Sequence, residues 1–131
     1  MFSTPQVNIY ARDVETSLGF WSALGFTETF RTPADGPPDH VELTLQGLKI
    51  GMGSAELGVT EHGLDIHLDE RGRGMEVVLW TDDVDAAHAL ATGRGARSLQ
   101  EPHDVRALRV AYVLDPDDNP VEFVAHRDDA G

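Results

Sequence analysis

The chain has 131 residues, no cysteine and a formal net charge of −13, which arises from 23 acidic side chains against 10 lysines and arginines. This charge disfavours nucleic acids and anionic membranes as partners, and the lack of cysteine excludes disulfides and thiol chemistry. The start of the chain has no basic segment leading into an apolar run, and no stretch is long enough to span a bilayer. We therefore expect one soluble cytoplasmic domain, residues 1–131.

The first half of the chain predicts one strand, one helix and three further strands. Gln6–Ala11 is rich in β-forming residues, and Asp13 follows it as a helix N-cap. Apolar side chains at helical spacing, including Trp21, then predict a helix that ends at Gly25. Three more strands are expected at Phe26–Arg31, Val41–Leu45 and Leu48–Met52.

The segment Ser54–Gly74 is polar and contains several glycines, and it carries His62 and His67. We interpret it as a connector between two halves, able to fold over a site, with a short strand around Leu64–Leu68. The pattern of the first half then returns. A strand at Glu76–Thr81, a helix N-cap at Asp83, a helix at Val84–Ala91 and a strand at Arg97–Gln100 are expected.

The last predicted element is the hairpin Leu108–Ala125, whose turn is Asp115–Pro120. Its return strand contains one charge, Glu122, which is either a solvated residue or the floor of a site. The pair Asp13-Val14 recurs as Asp83-Val84 after 70 residues, which indicates two copies of one supersecondary unit.

Four segments together resemble the vicinal-oxygen-chelate superfamily, which includes glyoxalase I, bleomycin-resistance proteins, fosfomycin-resistance enzymes and ring-cleaving dioxygenases. They are Tyr10–Val14, Gly19–Trp21, Leu24–Phe26 and Asp115–Val124. The first helix and the last hairpin are most similar to the bleomycin-resistance branch. Asp118 departs from the pattern, since the family usually has glycine there, but aspartate tolerates a left-handed turn.

The resemblance implies an α+β fold of two paired βαβββ modules that form a cup-shaped mixed sheet. Module one would span residues 5–53, the connector 54–74 and module two 75–127. It also implies a homodimer, in which the modules pair within or between chains.

Metal-using members of the family take one ligand from the first and one from the fourth strand of each module. By motif position these ligands would be Gln6, Gly51, Glu76 and Glu122. Gln6, Glu76 and Glu122 offer only oxygen donors, of the kind that suit hard divalent cations. Gly51 has no donor side chain, however, so the set of ligands is incomplete. Because a metal site needs its full set, we predict no metal and no other cofactor.

Strand alternation adds further residues to the expected cleft. Asn8 and Tyr10 share a face with Gln6, and Trp80 shares one with Glu76, while the loss of a side chain at Gly51 is expected to open room for an organic ligand. Core packing is an equal alternative for Trp80, and it is the favoured reading for Trp21. The opposite faces, with Val7, Ile9, Val77 and Leu79, would pack under the helices. Any of the loop histidines could reach the cleft as a base.

The leading hypothesis is a non-enzymatic protein that binds and sequesters an antibiotic-like, cationic aromatic small molecule, as bleomycin-resistance proteins do. Its predicted ligand-binding residues are Gln6, Asn8, Tyr10, Gly51, Glu76, Trp80 and Glu122. The alternative is a metal-dependent lyase or isomerase of glyoxalase type, in which Glu122 or Glu76 moves a proton. A binding module with a purely structural or regulatory role is the third class.

Overall fold

A computed structural model describes residues 1–128, so the last three residues of the predicted domain lie outside the described part. The chain divides into two compact units, Met1–Glu70 and a second unit that begins at Arg71. Each unit contains a four-stranded mixed sheet and one or two α-helices, as the α+β class requires.

The first unit follows the predicted order and then adds a helix. Its elements are β1 (Val7–Ala11), α1 (Val14–Ala23), β2 (Thr27–Thr32), β3 (His40–Leu45), β4 (Leu48–Ser54) and α2 (Ala55–His62). The sheet order is β1-β4-β3-β2, in which β1 and β4 run parallel and the other neighbours antiparallel. One face of this sheet packs against α1, and its inward side chains, such as Leu43 and Ile50, are almost completely buried.

Helix α1 begins as the sequence predicts, because the side chain of Asp13 accepts hydrogen bonds from the backbone N–H groups of Glu15 and Thr16. Trp21 is fully buried, and its ring meets Phe26 edge-on at a centroid distance of 5.5 Å. The prediction that Trp21 belongs to the core is confirmed.

Helix α2 corrects the interpretation of the connector. Ser54 caps it by accepting a hydrogen bond from the Leu57 N–H, and Gly63, at a φ of 67°, ends it in the left-handed conformation. The predicted strand at Leu64–Leu68 is wrong, since the Leu64 N–H donates to the Gly58 carbonyl and closes the helix end instead. At only 8 residues the helix is too short for its apolar spacing to stand out in the sequence.

The second unit repeats the order without the extra helix. Its elements are β5 (Val77–Trp80), α3 (Val84–Gly93), β6 (Arg97–Val105), β7 (Leu108–Leu114) and β8 (Pro120–His126). The sheet order is β5-β8-β7-β6, again with a parallel first pair. Strand β6 is longer than predicted, because its pairing with β7 continues past Gln100 through a register shift. Asp83 caps α3 as expected.

The turn between β7 and β8 is held together by one buried carboxylate. Asp115 is 1% exposed and accepts hydrogen bonds from the backbone N–H of Asp117 and from both the backbone and the side-chain nitrogen of Asn119. Asp118 adopts a φ of 68°, so aspartate does take the left-handed position expected for it. Among residues 1–128, no helix is long and apolar enough to cross a membrane.

Candidate functional site

A pocket with a volume of about 410 Å³ opens in the first unit, between the end of its sheet and helix α2. Its walls come from β1, β2, β3, β4, α2 and the residue before β3. The lining residues are Asn8, Tyr10, Thr32, Asp39, His40, Gly53, Ser54, Leu57, Gly58, Glu61 and His62. Two carboxylates, two imidazoles and one phenol therefore face a single cavity of small-molecule size.

Two glycines set the shape of this pocket, because the ring of Tyr10 lies against their bare backbone. A Cβ atom at Gly53 would be 3.5 Å from Tyr10 Cε1, and one at Gly58 would be 3.0 Å from it and 2.7 Å from Ile66 Cδ1. A side chain at Gly58 would thus push the Tyr10 ring or Ile66 out of position.

Backbone hydrogen bonds hold Asp39 at the pocket. Its N–H donates to the Thr32 carbonyl at 2.8 Å, and its own carbonyl accepts from the Ser54 N–H at 2.9 Å. The long loop after β2 therefore ends at a defined point, and Ser54 in turn begins α2, which carries Glu61 and His62.

Beside the pocket, the carboxylate of Glu42 is the centre of a polar network. His40 Nε2 lies 3.2 Å, Lys49 Nζ 2.9 Å and Gln6 Nε2 3.4 Å from its oxygens. These hydrogen bonds, from Lys49 first and then His40, lower the pKa of Glu42 below its usual value. The carboxylate is consequently ionised at neutral pH and orients its three neighbours.

Two of the residues predicted for the site, Gln6 and Asn8, surround a third, Gly51 of β4. A Cβ at Gly51 would lie 2.2 Å from Asn8 Oδ1 and 3.0 Å from Gln6 Nε2, and these two side chains hydrogen-bond at 2.9 Å. The prediction that Gly51 leaves open room for a ligand is wrong, because the amide of Asn8 fills the space. Asn8 and Tyr10 line the pocket, whereas Gln6 does not line it and instead donates to Asn8 and Glu42.

The remaining predicted residues belong to the second unit, where the structure brings Glu76 and Glu122 to the hydroxyl of Tyr112. Glu122 pairs with Val78 on β5 and with Tyr112 on β7. Burial, followed by the negative charge of Glu76, raises the pKa of Glu122. Burial and the two carboxylates raise the pKa of Tyr112 to about 12.

Trp80 is 60% exposed, so the core-packing alternative for this residue is wrong. Its ring stacks at a tilt on that of His126, with the centroids 4.9 Å apart. The second unit thus presents an aromatic pair on the same strands, β5 and β8, that carry or adjoin the two carboxylates.

The family's metal-ligand positions do not fit a metal in this chain. Gly51 has no donor side chain, and Asn8 fills the space where one would be, so the set of four ligand positions lacks a member. Within residues 1–128, no three or more histidine, aspartate and glutamate side chains are grouped as metal ligands would be.

Three residues at or beside the pocket were not predicted from the sequence: Asp39, Glu42 and Glu61. The alternating charge of Glu42 in Val41–Leu45 was the available signal, but only the pairing Glu42↔Gly51 connects it to Asn8 and Gln6. The two pocket imidazoles, His40 and His62, are among the loop and strand-edge histidines considered from the sequence.

The sequence and the fold are both similar to those of one known superfamily. The model of the Glyoxalase/Bleomycin resistance protein/Dioxygenase superfamily matches residues 3–123. No curated protein matches the sequence. Among solved structures, the hypothetical protein SA1046 from S. aureus is similar with a TM-score of 0.80 and 19% identity, over 95% of this chain and 94% of that chain.

Two further structures have the same fold. TioX from Micromonospora sp. ML1 is similar with a TM-score of 0.72 and 24% identity, over 96% of this chain and 100% of that one. A glyoxalase/bleomycin resistance protein/dioxygenase family enzyme from Burkholderia phytofirmans PsJN is similar with a TM-score of 0.74 and 22% identity, over 91% and 94% of the two chains.

Proposed function

We infer the function of this chain from its own site, because the chain belongs to the glyoxalase/bleomycin resistance protein/dioxygenase superfamily, whose fold serves several unrelated chemistries. We propose that it binds a small aromatic cation and holds it without chemical change, as a sequestering protein does. The observation that carries the proposal is the acidic pocket of about 410 Å³ in the first unit.

The chemistry of the pocket walls favours a ligand that is both flat and positively charged. Tyr10 and Leu57 supply apolar surface, and the backbone at Gly53 and Gly58 leaves space beside the Tyr10 ring. Asp39 and Glu61 supply two carboxylates against which a cation would be stabilised. A ligand whose ring lies against Tyr10 and whose charge faces these carboxylates would contact both the apolar and the acidic part of the pocket.

The overall charge supports the same conclusion. A net charge of −13 raises the local concentration of cations around the protein and speeds their association, while it repels anions. A thiol conjugate or another anionic substrate of the glyoxalase type would meet an unfavourable field at this pocket.

The second unit offers compatible chemistry, with Glu76 and Glu122 at the Tyr112 hydroxyl and an exposed Trp80. Ligand contacts at these residues stay a prediction from the sequence. Replacing Glu122 by Gln tests it, since this change should weaken cation binding if Glu122 contacts the ligand and leave it unchanged otherwise.

The alternative, a metal-dependent lyase or isomerase, has less support. Such a reaction requires ligands that polarise the substrate oxygens through a metal ion. Gly51 contributes no donor, and Asn8 occupies the space above it. A metal ion would therefore lack one of its four ligands at these positions.

Titration calorimetry with three aromatic probes of similar size tests the proposal: benzamidinium as the cation, benzyl alcohol as the neutral compound and benzoate as the anion. We expect the cation to bind most tightly. Asp39→Asn and Glu61→Gln should each weaken it about 3-fold to 5-fold, as the loss of one exposed charge partner does.

Asp35→Asn is the matched control, since it removes the same charge from the same loop at an exposed residue outside the pocket lining. It should leave the affinity for benzamidinium within about 2-fold of the original. Equal binding of all three probes, or tightest binding of benzoate, would rule out the cation-binding function.

A further inference from the structure

The two imidazole nitrogens of His40 lie in different surroundings. Nε2 lies 3.2 Å from Oε2 of Glu42, a residue that does not line the pocket. An ionised carboxylate only accepts hydrogen bonds, so the imidazole nitrogen that faces it must carry the proton. In neutral His40 the hydrogen is therefore on Nε2.

Glu42 is well suited to hold this tautomer. Its other contacts are cationic or donating, with Lys49 Nζ at 2.9 Å and Gln6 Nε2 at 3.4 Å. They keep the carboxylate ionised, and the pKa of Glu42 is lowered accordingly, first by Lys49. The pairing of β3 with β4 sets Lys49 opposite Thr44 and Gly51 opposite Glu42, so the network is built on the sheet and not on a loop.

The second nitrogen, Nδ1, faces the bare backbone of the pocket wall. It lies 3.8 Å from the point where a Cβ atom of Gly53 would be, and both residues line the cavity. In the part of the chain that the structure describes, residues 1–128, Nδ1 has no hydrogen-bond partner, and the His40 side chain is 27% exposed. In the neutral imidazole with its hydrogen on Nε2, Nδ1 carries a lone pair and is therefore an unpaired acceptor on a residue that lines the cavity.

We propose that His40 determines the specificity of the pocket by accepting, through Nδ1, a hydrogen bond from an N–H group of the bound cation. The inference rests on the proposed function and narrows its ligand class. Cations that carry N–H groups, such as amidinium, guanidinium and primary ammonium, can donate to Nδ1 while their charge faces Asp39 and Glu61. Quaternary ammonium ions have the same charge and no donor.

The other charged groups of the pocket do not make this distinction alone. Asp39 and Glu61 attract any cation, and a protonated His62 repels any cation. Carboxylates also accept from N–H groups, so some preference for N–H cations is expected without His40. The contribution of His40 is therefore measured as the loss of preference for N–H cations over quaternary ammonium ions when the two nitrogens of its ring are removed.

The experiment compares benzamidinium with phenyltrimethylammonium, two monovalent aromatic cations, by calorimetry at pH 8, where histidine is mostly neutral. The readout is the preference ratio, which is the dissociation constant of phenyltrimethylammonium divided by that of benzamidinium. His40→Phe keeps a flat ring and removes both nitrogens, and we expect the preference for benzamidinium to fall about 5-fold to 10-fold, the effect of one lost hydrogen bond. The affinity for phenyltrimethylammonium should change little.

His67→Phe is the matched control, because His67 is exposed, pairs with Asp65 and does not line the pocket. It should leave the ratio unchanged. Glu42→Gln should lower the ratio by a smaller factor, since an amide can donate to Nε2 and release the tautomer. An unchanged ratio in both His40→Phe and Glu42→Gln would overturn the inference while the cation-binding function stands.

Nitrogen NMR of the unsubstituted protein tests the tautomer without any variant. We expect the His40 ring to show a protonated Nε2 and an unprotonated Nδ1, and the Nδ1 resonance to shift with benzamidinium but not with phenyltrimethylammonium. A protonated Nδ1 in the neutral ring contradicts the inference. Failure of both cations to bind would instead contradict the proposed function itself.

Discussion

At the scale of single residues, the carboxyl groups of Glu76 and Glu122 both interact with the hydroxyl of Tyr112 in the second unit. Burial disfavours the charged form of Glu122, and the charge of Glu76 disfavours it further, so its pKa is raised in the folded protein. A raised pKa stabilises the fold at pH values below the unfolded pKa of about 4.5, and this stabilisation is lost as the pH rises through the folded pKa.

Glu122→Gln should therefore raise the melting temperature at pH 8, by about 2–4 °C, because it removes the charge but keeps an acceptor for Tyr112. The advantage over the original protein should shrink toward zero at pH 4, where Glu122 is protonated. Thermal unfolding at both pH values, followed by circular dichroism, measures this. A variant that is less stable at pH 8 would mean that the carboxylate is held by favourable contacts.

At the scale of elements, strand alternation predicts which side chains face the helices and which face away. In β5, Val78 and Trp80 are 41% and 60% exposed, while Val77 and Leu79 are partly buried, as expected. In β1, Val7 is 39% exposed, and Ile9 and Tyr10, which lie on opposite faces, are both partly buried, so burial does not distinguish the two faces of this strand.

Ile9→Ala and Val77→Ala should each cost about 1–2 kcal/mol of unfolding free energy, the lower part of the range for core truncations, since both side chains are only partly buried. Asn8→Ala, at an exposed position of the same strand, should cost less than about 0.5 kcal/mol. Urea unfolding of the three variants measures the differences. Equal losses at all three positions would show that the two faces contribute alike.

At the scale of the whole molecule, the strong negative charge attracts cations of every kind, but a specific metal site needs its ligands grouped. At the family's ligand positions, Gly51 has no donor side chain, and Asn8 fills the space where one would be. Loose attraction of metal ions to the surface would not produce a fixed stoichiometry. The homodimer implied by the resemblance stays a prediction, which sedimentation velocity can test.

We predict that the purified protein carries no stoichiometric transition metal, and that Ni²⁺, Zn²⁺ or Co²⁺ does not raise its melting temperature. A ligand that binds only the folded state would raise it. Elemental analysis and thermal scans after dialysis provide the measurement. One equivalent of metal that survives a chelator would contradict the prediction and favour the enzyme alternative.

The family, the α+β class and most of the elements could be predicted from the sequence, because their signals are local. The caps Asp13 and Asp83 precede apolar residues at helical spacing, and the turn at Asp115–Pro120 is marked by its own residue types. Helix α2 has the caps Ser54 and Gly63, but its 8 residues are too few for apolar spacing to stand out.

Only the tertiary structure decided how the site is built. The sequence identified Asn8 and Tyr10, which line the pocket, but it assigned open space to Gly51, which Asn8 covers. His40 and Glu42 become site residues through the pairing of β3 with β4 and of β4 with β1. Strand pairing joins residues distant along the chain, and a shift by one residue would turn each side chain to the other face. Local patterns reveal which residues alternate, but the register determines which of them meet.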